Sequence, residues 1–234
     1  MSADALLFTC EHGGNRIPAP YRSLFRGHDV ILKTHRGYDA GALLMARTLA
    51  LSFEAPLVSS TISRLLIDLN RSLGHPTVFS PALRGAPAAQ RAQIIARYYL
   101  PYRQCVENLV SQSVASGRRV VHVSAHSFTP ELHGKVRNAD VGLLYDPRRG
   151  SEARLCAAWK KLLTQEAPGL RVRRNYPYAG KGDGLTSHLR RCFPDAAYLG
   201  IELEINQKIV HARGQRWASL RKVLTDTLRQ ACAL

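Results

Sequence analysis

Acidic residues are scarce in this 234-residue chain: 17 aspartates and glutamates stand against 33 lysines and arginines, a formal net charge of +16. Such an excess suits a nucleic-acid partner, a field that gathers small anionic molecules, or a plainly solvated basic surface. The cations come mostly one or two at a time, over residues 84–103, at Arg118-Arg119 and Arg148-Arg149, over residues 171–174 and at Arg190-Arg191. That dispersal weakens the nucleic-acid reading, and no zinc finger or RNA-binding aromatic signature supports it. Cysteine is sparse as well. The five thiols, at 10, 105, 156, 192 and 232, are odd in number and include no C-x-x-C pair. Neither a disulfide framework nor a thiolate zinc site is indicated, and the thiols read as buried or neutral. No apolar run is long enough to span a membrane, no basic segment opens a leader, and no repeat or low-complexity linker divides the chain. One domain over residues 1–234, a cytoplasmic location and no membrane partner are the resulting expectations.

What the chain does have is alternation. Residues 6–10 are apolar or β-branched and run into Glu11-His12-Gly13-Gly14, a short buried strand ending in a turn. Residues 39–51 carry apolar positions at helical spacing, with Asp39 where an N-cap sits. Residues 56–58 and 62–69 read as extended, and 87–116 as one long helix or two, broken or kinked at Pro101. The run at 120–125 is strand-like and leads into His126-Ser127-Phe128, while 141–146 is another strand-to-loop junction. Residues 151–165 read as a helix, 170–173 as a half-buried strand and 175–184 as a Gly/Pro/Tyr loop of the kind that binds or covers. A short helix from Thr186, a strand at 197–206 bearing two carboxylates, and a helix at 216–231 complete the series. The prediction is an α/β fold of three layers, a mostly parallel central sheet with helices on both faces.

In such sheets chemistry gathers where strands end. His12, Asn70-Arg71, His126 and Glu204 each lie at the end of, or within, a separate apolar run. Two histidines and one oxygen ligand hold a catalytic zinc with a place left for water, and a glutamate outside the ligand set can take that water's proton. Arg71 suits a bidentate grip on a carboxylate.

The strings Thr9-Cys10-Glu11-His12-Gly13-Gly14-Asn15-Arg16-Ile17-Pro18, His35-Arg36-Gly37-Tyr38-Asp39-Ala40-Gly41-Ala42, Asp68-Leu69-Asn70-Arg71, Ala125-His126-Ser127-Phe128-Thr129-Pro130, residues 137–146 and residues 202–207 resemble the N-formylglutamate amidohydrolase family. The likeness runs in order over nearly the whole chain. It implies hydrolysis of a small anionic N-acyl amino acid, N-formyl-L-glutamate giving formate and glutamate in histidine breakdown. It also implies a zinc carboxypeptidase or phosphorylase/hydrolase-like fold, distantly similar to acylases such as aspartoacylase and succinylglutamate desuccinylase. By the same resemblance His12 and His126 are ligands of one divalent metal, Zn2+ by type, Asn70 and Arg71 hold the substrate carboxylate, and Glu204 is the general base. Where those acylases carry the glutamate of an H-x-x-E pair, this chain has Asn15, a poorer zinc ligand than a carboxylate. Asp39 is the preferred third ligand, with Glu11 and Asn15 left open; Glu11 neighbours His12, and successive residues on extended backbone face opposite ways. Glu202 shares a strand face with Glu204 and is the alternative base. Arg137, His133, Tyr178 and Lys181 are further candidates for substrate contacts. The competing class is a basic polyanion- or nucleic-acid-binding protein on a hydrolase-like fold, disfavoured because a binding module needs no general base.

Overall fold

The computed structural model describes residues 4–212 and 214–233. The part of the leader reading that concerns residues 1–3 lies outside them. In chain order come β1 (Ala5–Cys10), α1 (Asp29–Leu32), α2 (Ala42–Phe53) and β2 (Leu57–Ser59), then α3 (Ala88–Ile94), α4 (Leu100–Ala115) and β3 (Val120–Phe128). A small hairpin, β4 (Glu131–Leu132) and β5 (Lys135–Val136), precedes β6 (Val141–Leu144), α5 (Gly150–Glu166) and β7 (Val172–Arg174). The chain closes with α6 (Leu185–Cys192), β8 (Tyr198–Asn206), α7 (Gln207–His211) and α8 (Gly214–Cys232).

Six strands form one sheet in the order β2-β1-β3-β8-β6-β7. β2, β1, β3 and β8 run parallel, while β6 is antiparallel to β8 and parallel to β7. The sheet is therefore mixed. The reason lies in the connection after β3: a parallel return needs a crossover, usually a helix. Residues 129–140 hold only the hairpin, so β6 starts beside the carboxyl end of β8, with Val141 opposite Ile205.

Strand periodicity divides the interior in two. Phe8, Val121, Val123, Ile201 and Leu203 pack against α2, α5 and α8 on one face. Leu7, Val120 and Tyr198 pack against α3, α4 and α6 on the other. On this second face the strands turn polar toward their carboxyl ends. β3 presents His122, Ser124 and His126, β8 presents Glu202 and Glu204, and β1 leads through Thr9 to Glu11; nearly all of these are buried.

Several elements depart from the sequence reading. β3 runs on through His126 to Phe128 instead of ending at residue 125. α2 begins at Ala42 after Gly41, whose φ of 80° suits glycine, so Asp39 caps no helix. Residues 62–69 are not a strand: Ser63 Oγ accepts the Leu65 N–H at 3.2 Å and Ser63 O accepts that of Leu66 at 2.9 Å, which folds the segment into a turn. Ahead of Pro101 the long helix widens into a π-helical turn, Ile95–Tyr99, because proline offers no N–H to continue the ladder. Cys10 and Cys156 are buried, Cys105 and Cys192 are exposed, and all five thiols are free. Among the described residues no helix is long and apolar enough to cross a membrane.

Candidate metal and catalytic site

His12 follows β1, Asp39 precedes α2 and His126 lies within β3, and the three converge. Asp39 Oδ2 is 2.8 Å from His126 Nδ1 and 3.4 Å from His12 Nδ1. One ligand atom from each of the three residues falls within 4.8 Å of the other two. The turn that brings Asp39 in is pinned by donation of its N–H to the His12 carbonyl at 2.9 Å.

The far nitrogen of each imidazole is held by a carboxylate. His12 Nε2 donates to Asp68 Oδ1 at 2.7 Å. His126 Nε2 lies 3.2 Å from Glu11 Oε2 and 2.9 Å from Ser124 Oγ, and that hydroxyl donates to the same carboxylate oxygen at 2.6 Å. Tyr102, on α4, donates to Glu11 Oε1 at 2.9 Å. Arg64 binds Asp39 Oδ1 at 3.3 Å and Asp68 Oδ2 at 2.8 Å, fixing both acids from one guanidinium. This outer ring sets ring tautomer and direction, and it leaves both Nδ1 atoms turned toward Asp39.

Charge is unevenly supplied. Glu11, Asp39, Asp68 and Glu204 are all buried. Among the described residues Arg64 is the one lysine or arginine in ion-pair contact with any of them. Burial works to raise the pKa of Glu11, but the hydrogen bond and charge of His126 and the Ser124 hydroxyl overcome it and hold that carboxyl far down. Asp39 is held down in the same way by His12, His126 and Arg64. Glu204 goes the opposite way: burial first, then the charges of Asp39 and Glu202, outweigh His126 and push it up to about 8. Its Oε2 is buried without a hydrogen-bond partner. Two convergent Nδ1 atoms, a carboxylate oxygen between them and an orphaned carboxylate beside them are a donor set that fits a divalent cation with one open position.

Glu204 is paired with His126 across β8 and β3, and Gly142 of β6 is its neighbour on the other side. A Cβ at Gly142 would fall 2.0 Å from the Tyr176 carbonyl, so only glycine lets the 175–184 loop lie so close. A cavity of about 370 Å³ opens over the cluster, walled by Asn70, Arg71, Tyr178, Asp183, Glu202 and Glu204. Arg71 Nη1 donates to the Asp183 carbonyl at 2.9 Å, and Asn70 Oδ1 accepts the Leu185 N–H at 2.7 Å. Glu202 Oε1 accepts from Thr186 Oγ1 at 2.9 Å.

Thus His12, Asp39, His126, Asn70, Arg71, Glu202 and Glu204 meet at one cavity. Glu11 belongs to the outer ring, and Asn15 is exposed. Arg137 stands back from the cavity wall, 4.9 Å above the Tyr178 ring. His133 is exposed at the hairpin turn, and Lys181 lines a separate cationic cavity with Arg190 and Arg191. Arg64, Tyr102, Asp183 and the orienting role of Asp68 escape the sequence reading. Asp68 alone carried a signal, as the first letter of the Asp68-Leu69-Asn70-Arg71 string.

The family model described as N-formylglutamate amidohydrolase (FGase) matches residues 4–210. Among solved structures, gene product Atu2144 from Agrobacterium tumefaciens is similar with a TM-score of 0.84 and 31% identity, covering 98% of this chain and 91% of that one. The N-formylglutamate amidohydrolase from Ralstonia eutropha JMP134 has a TM-score of 0.69 at 22% identity, covering 99% of this chain and 94% of that one, a likeness of fold. Comparison with curated proteins finds no match. With the family model spanning most of its length and a relative at 31% identity covered almost end to end, this chain belongs to the N-formylglutamate amidohydrolase family of amide-cleaving hydrolases.

Proposed function

We propose that the chain hydrolyses the amide bond of a small anionic N-acyl amino acid, N-formyl-L-glutamate foremost, with one zinc ion held by His12, Asp39 and His126. The observation that carries this reading is the convergence of two carboxylate-backed imidazoles on Asp39 Oδ2 beside the unpartnered Glu204. Bound there, such an ion supplies Lewis acidity, which acidifies a water molecule and polarises the amide carbonyl.

The remaining work falls to the side chains. Glu204 takes the attacking water's proton and returns it to the departing nitrogen, a role open to a cavity-lining carboxylate whose Oε2 no protein donor engages. Glu202, already engaged by Thr186, is the poorer base. Arg71, braced by Asp183, grips the substrate carboxylate, and Asn70 turns its amide N–H2 to the same group, its oxygen being committed to Leu185. A reading in which residues 1–234 act as one domain accords with the two cores sharing one sheet.

Metal analysis with an N-formylglutamate assay tests the proposal. His12→Ala, His126→Ala and Asp39→Asn should each lower bound zinc and activity together, because two remaining protein ligands hold the ion weakly. Full metal content in all three variants would overturn the site. Full metal and no hydrolysis of any N-acyl amino acid by the unaltered protein would overturn the substrate class.

A further inference from the structure

A second group of ligating side chains lies away from the cavity, between α4 and α6. Glu107 projects from α4, and His188 and Cys192 are one helical turn apart on α6, hence on one face. His188 Nε2 is 3.1 Å from Glu107 Oε2 and 3.8 Å from Cys192 Sγ, and all three ligand atoms lie within 4.8 Å of one another. Zinc takes nitrogen or oxygen at about 2.0–2.1 Å and sulfur at about 2.3 Å, which sets tetrahedral edges of about 3.3 Å for N···O and about 3.6 Å for N···S. The two observed separations bracket those edges. A Glu–His ion pair between helices joins two of the groups, and the i, i+4 spacing on α6 sets the Cys192 thiol beside the same imidazole nitrogen as a third ligand type. The cluster is open to solvent on its outer side, Cys192 being exposed and Glu107 and His188 partly so, which leaves room for water as a fourth ligand.

We propose that Glu107, His188 and Cys192 form a second, surface site for a divalent transition metal of the zinc class, distinct from the catalytic cluster. Thiolate, imidazole and carboxylate together favour zinc over magnesium or calcium. Burial and the Glu107 charge raise the Cys192 pKa while Arg191 and Arg103 oppose them, so an arriving ion displaces the thiol proton to solvent and bonds the thiolate. The site links the two helices that flank the substrate-binding segment. α4 carries Tyr102, which touches Glu11, and the π-helical turn before it carries Tyr99, which donates to the Arg71 carbonyl at 2.8 Å; α6 starts beside Asn70 at the cavity wall. A metal here acts as a clamp on that wall.

The test uses the full chain, stripped with a chelator and reloaded with zinc or cobalt(II) alone. The unaltered protein should take up one more zinc equivalent than either Cys192→Ser or His188→Ala, both of which keep the catalytic ligands. Loaded with cobalt, it should show the thiolate-to-metal charge-transfer absorption that an all-nitrogen-and-oxygen site lacks. That band should persist in His12→Ala and vanish in Cys192→Ser, so failure of the catalytic-metal reading and failure of this one give different results. Zinc should also raise the Tm of His12→Ala but not that of the double variant with Cys192→Ser. Equal zinc uptake by the unaltered and Cys192→Ser proteins, or absence of the thiolate band, would overturn the proposal.

Discussion

Two carboxylates two residues apart on β8 have opposite surroundings, and the proposed division of their roles rests on this difference. Glu202 Oε1 accepts from Thr186, whereas Glu204 Oε2 has no partner and its carboxyl is pushed up to about 8. Glu204→Gln should keep metal and fold while kcat drops about 10²- to 10⁴-fold with little change in KM. Glu202→Gln should cost about tenfold or less; steady-state kinetics with metal analysis of both variants decides, and the reverse pattern moves the base two residues upstream. Asp68 is the partner that aims His12, so Asp68→Asn should weaken metal affinity about 10- to 100-fold in a competition titration with a chelator. Unchanged affinity would show that Arg64 and packing suffice to orient the ring. His122 gives a pH effect of its own. It is buried between Thr9 Oγ1 and the Tyr198 hydroxyl, and burial, helped by Arg190 and His126 against Glu11, lowers its pKa to about 4. The unfolded chain therefore binds a proton between about pH 6.5 and about pH 4 that the folded chain refuses. Stability is lost as pH falls through that window, by on the order of 3 kcal/mol in total, and levels off below it. His122→Gln keeps hydrogen-bonding capacity without the titration, so urea unfolding across the window should show a shallower acid loss; parallel curves for the two proteins would refute the assignment.

The elements explain which parts of this arrangement could be read from the sequence. β1 and β8 were legible because two-residue periodicity and β-branched content act locally, and Asp39, His12 and His126 were legible as residue types that hold metals. The end of β3 was not: His126 reads as a loop residue, and carboxylates distant in sequence, Glu11 and Asp39, make a buried strand position tolerable for it. Arg64 was hidden for a related reason. Its segment is rich in isoleucine and leucine and reads as a strand, yet a single serine side chain turns it and delivers the guanidinium to Asp39 and Asp68. The direction of β6 depends on the shortness of the path through the hairpin, which no periodicity encodes. The π-helical turn before Pro101 also has a functional consequence, since Tyr99 lies in it and Tyr102 follows it, and both hydroxyls reach site residues. Tyr102→Phe leaves one oxygen of the buried Glu11 carboxylate and the Val58 carbonyl without this donor. The expected cost is about 1–3 kcal/mol in urea unfolding, together with weaker metal binding through a loosened His126. A variant as stable as the unaltered protein would mean that water replaces the hydroxyl.

At the scale of the whole molecule the excess of positive charge bears on how substrate arrives. Among the described residues no carboxylate lies within ion-pair distance of Arg36, Arg84 or Arg91, and these line a cavity of about 630 Å³ that shares Arg64 with the catalytic cavity. Lys181 and Arg191 line a third cavity on the flank of the 175–184 loop. Cations that come one or two at a time in the sequence thus gather in cavities beside the candidate site, and a cleft so lined raises the local concentration of anionic ligands. If that field steers the substrate, it acts over the Debye length, about 10 Å at 0.1 M salt, and fades as ionic strength rises. Raising salt from roughly 20 to 500 mM should lower kcat/KM for an anionic N-acyl amino acid about tenfold, mostly through KM, with kcat nearly constant because the buried catalytic groups are little screened. A neutral N-acyl amide, turned over slowly, serves as the control and should show a flat profile. A nucleic-acid-binding protein would instead hold duplex DNA at low salt and lose about 10³-fold in affinity between 50 and 200 mM for about six phosphate contacts. Tight, salt-sensitive duplex binding with a salt-independent kcat/KM would assign the charge to a polyanion partner, and a fall in kcat/KM confined to the anionic substrate would assign it to the catalytic mouth.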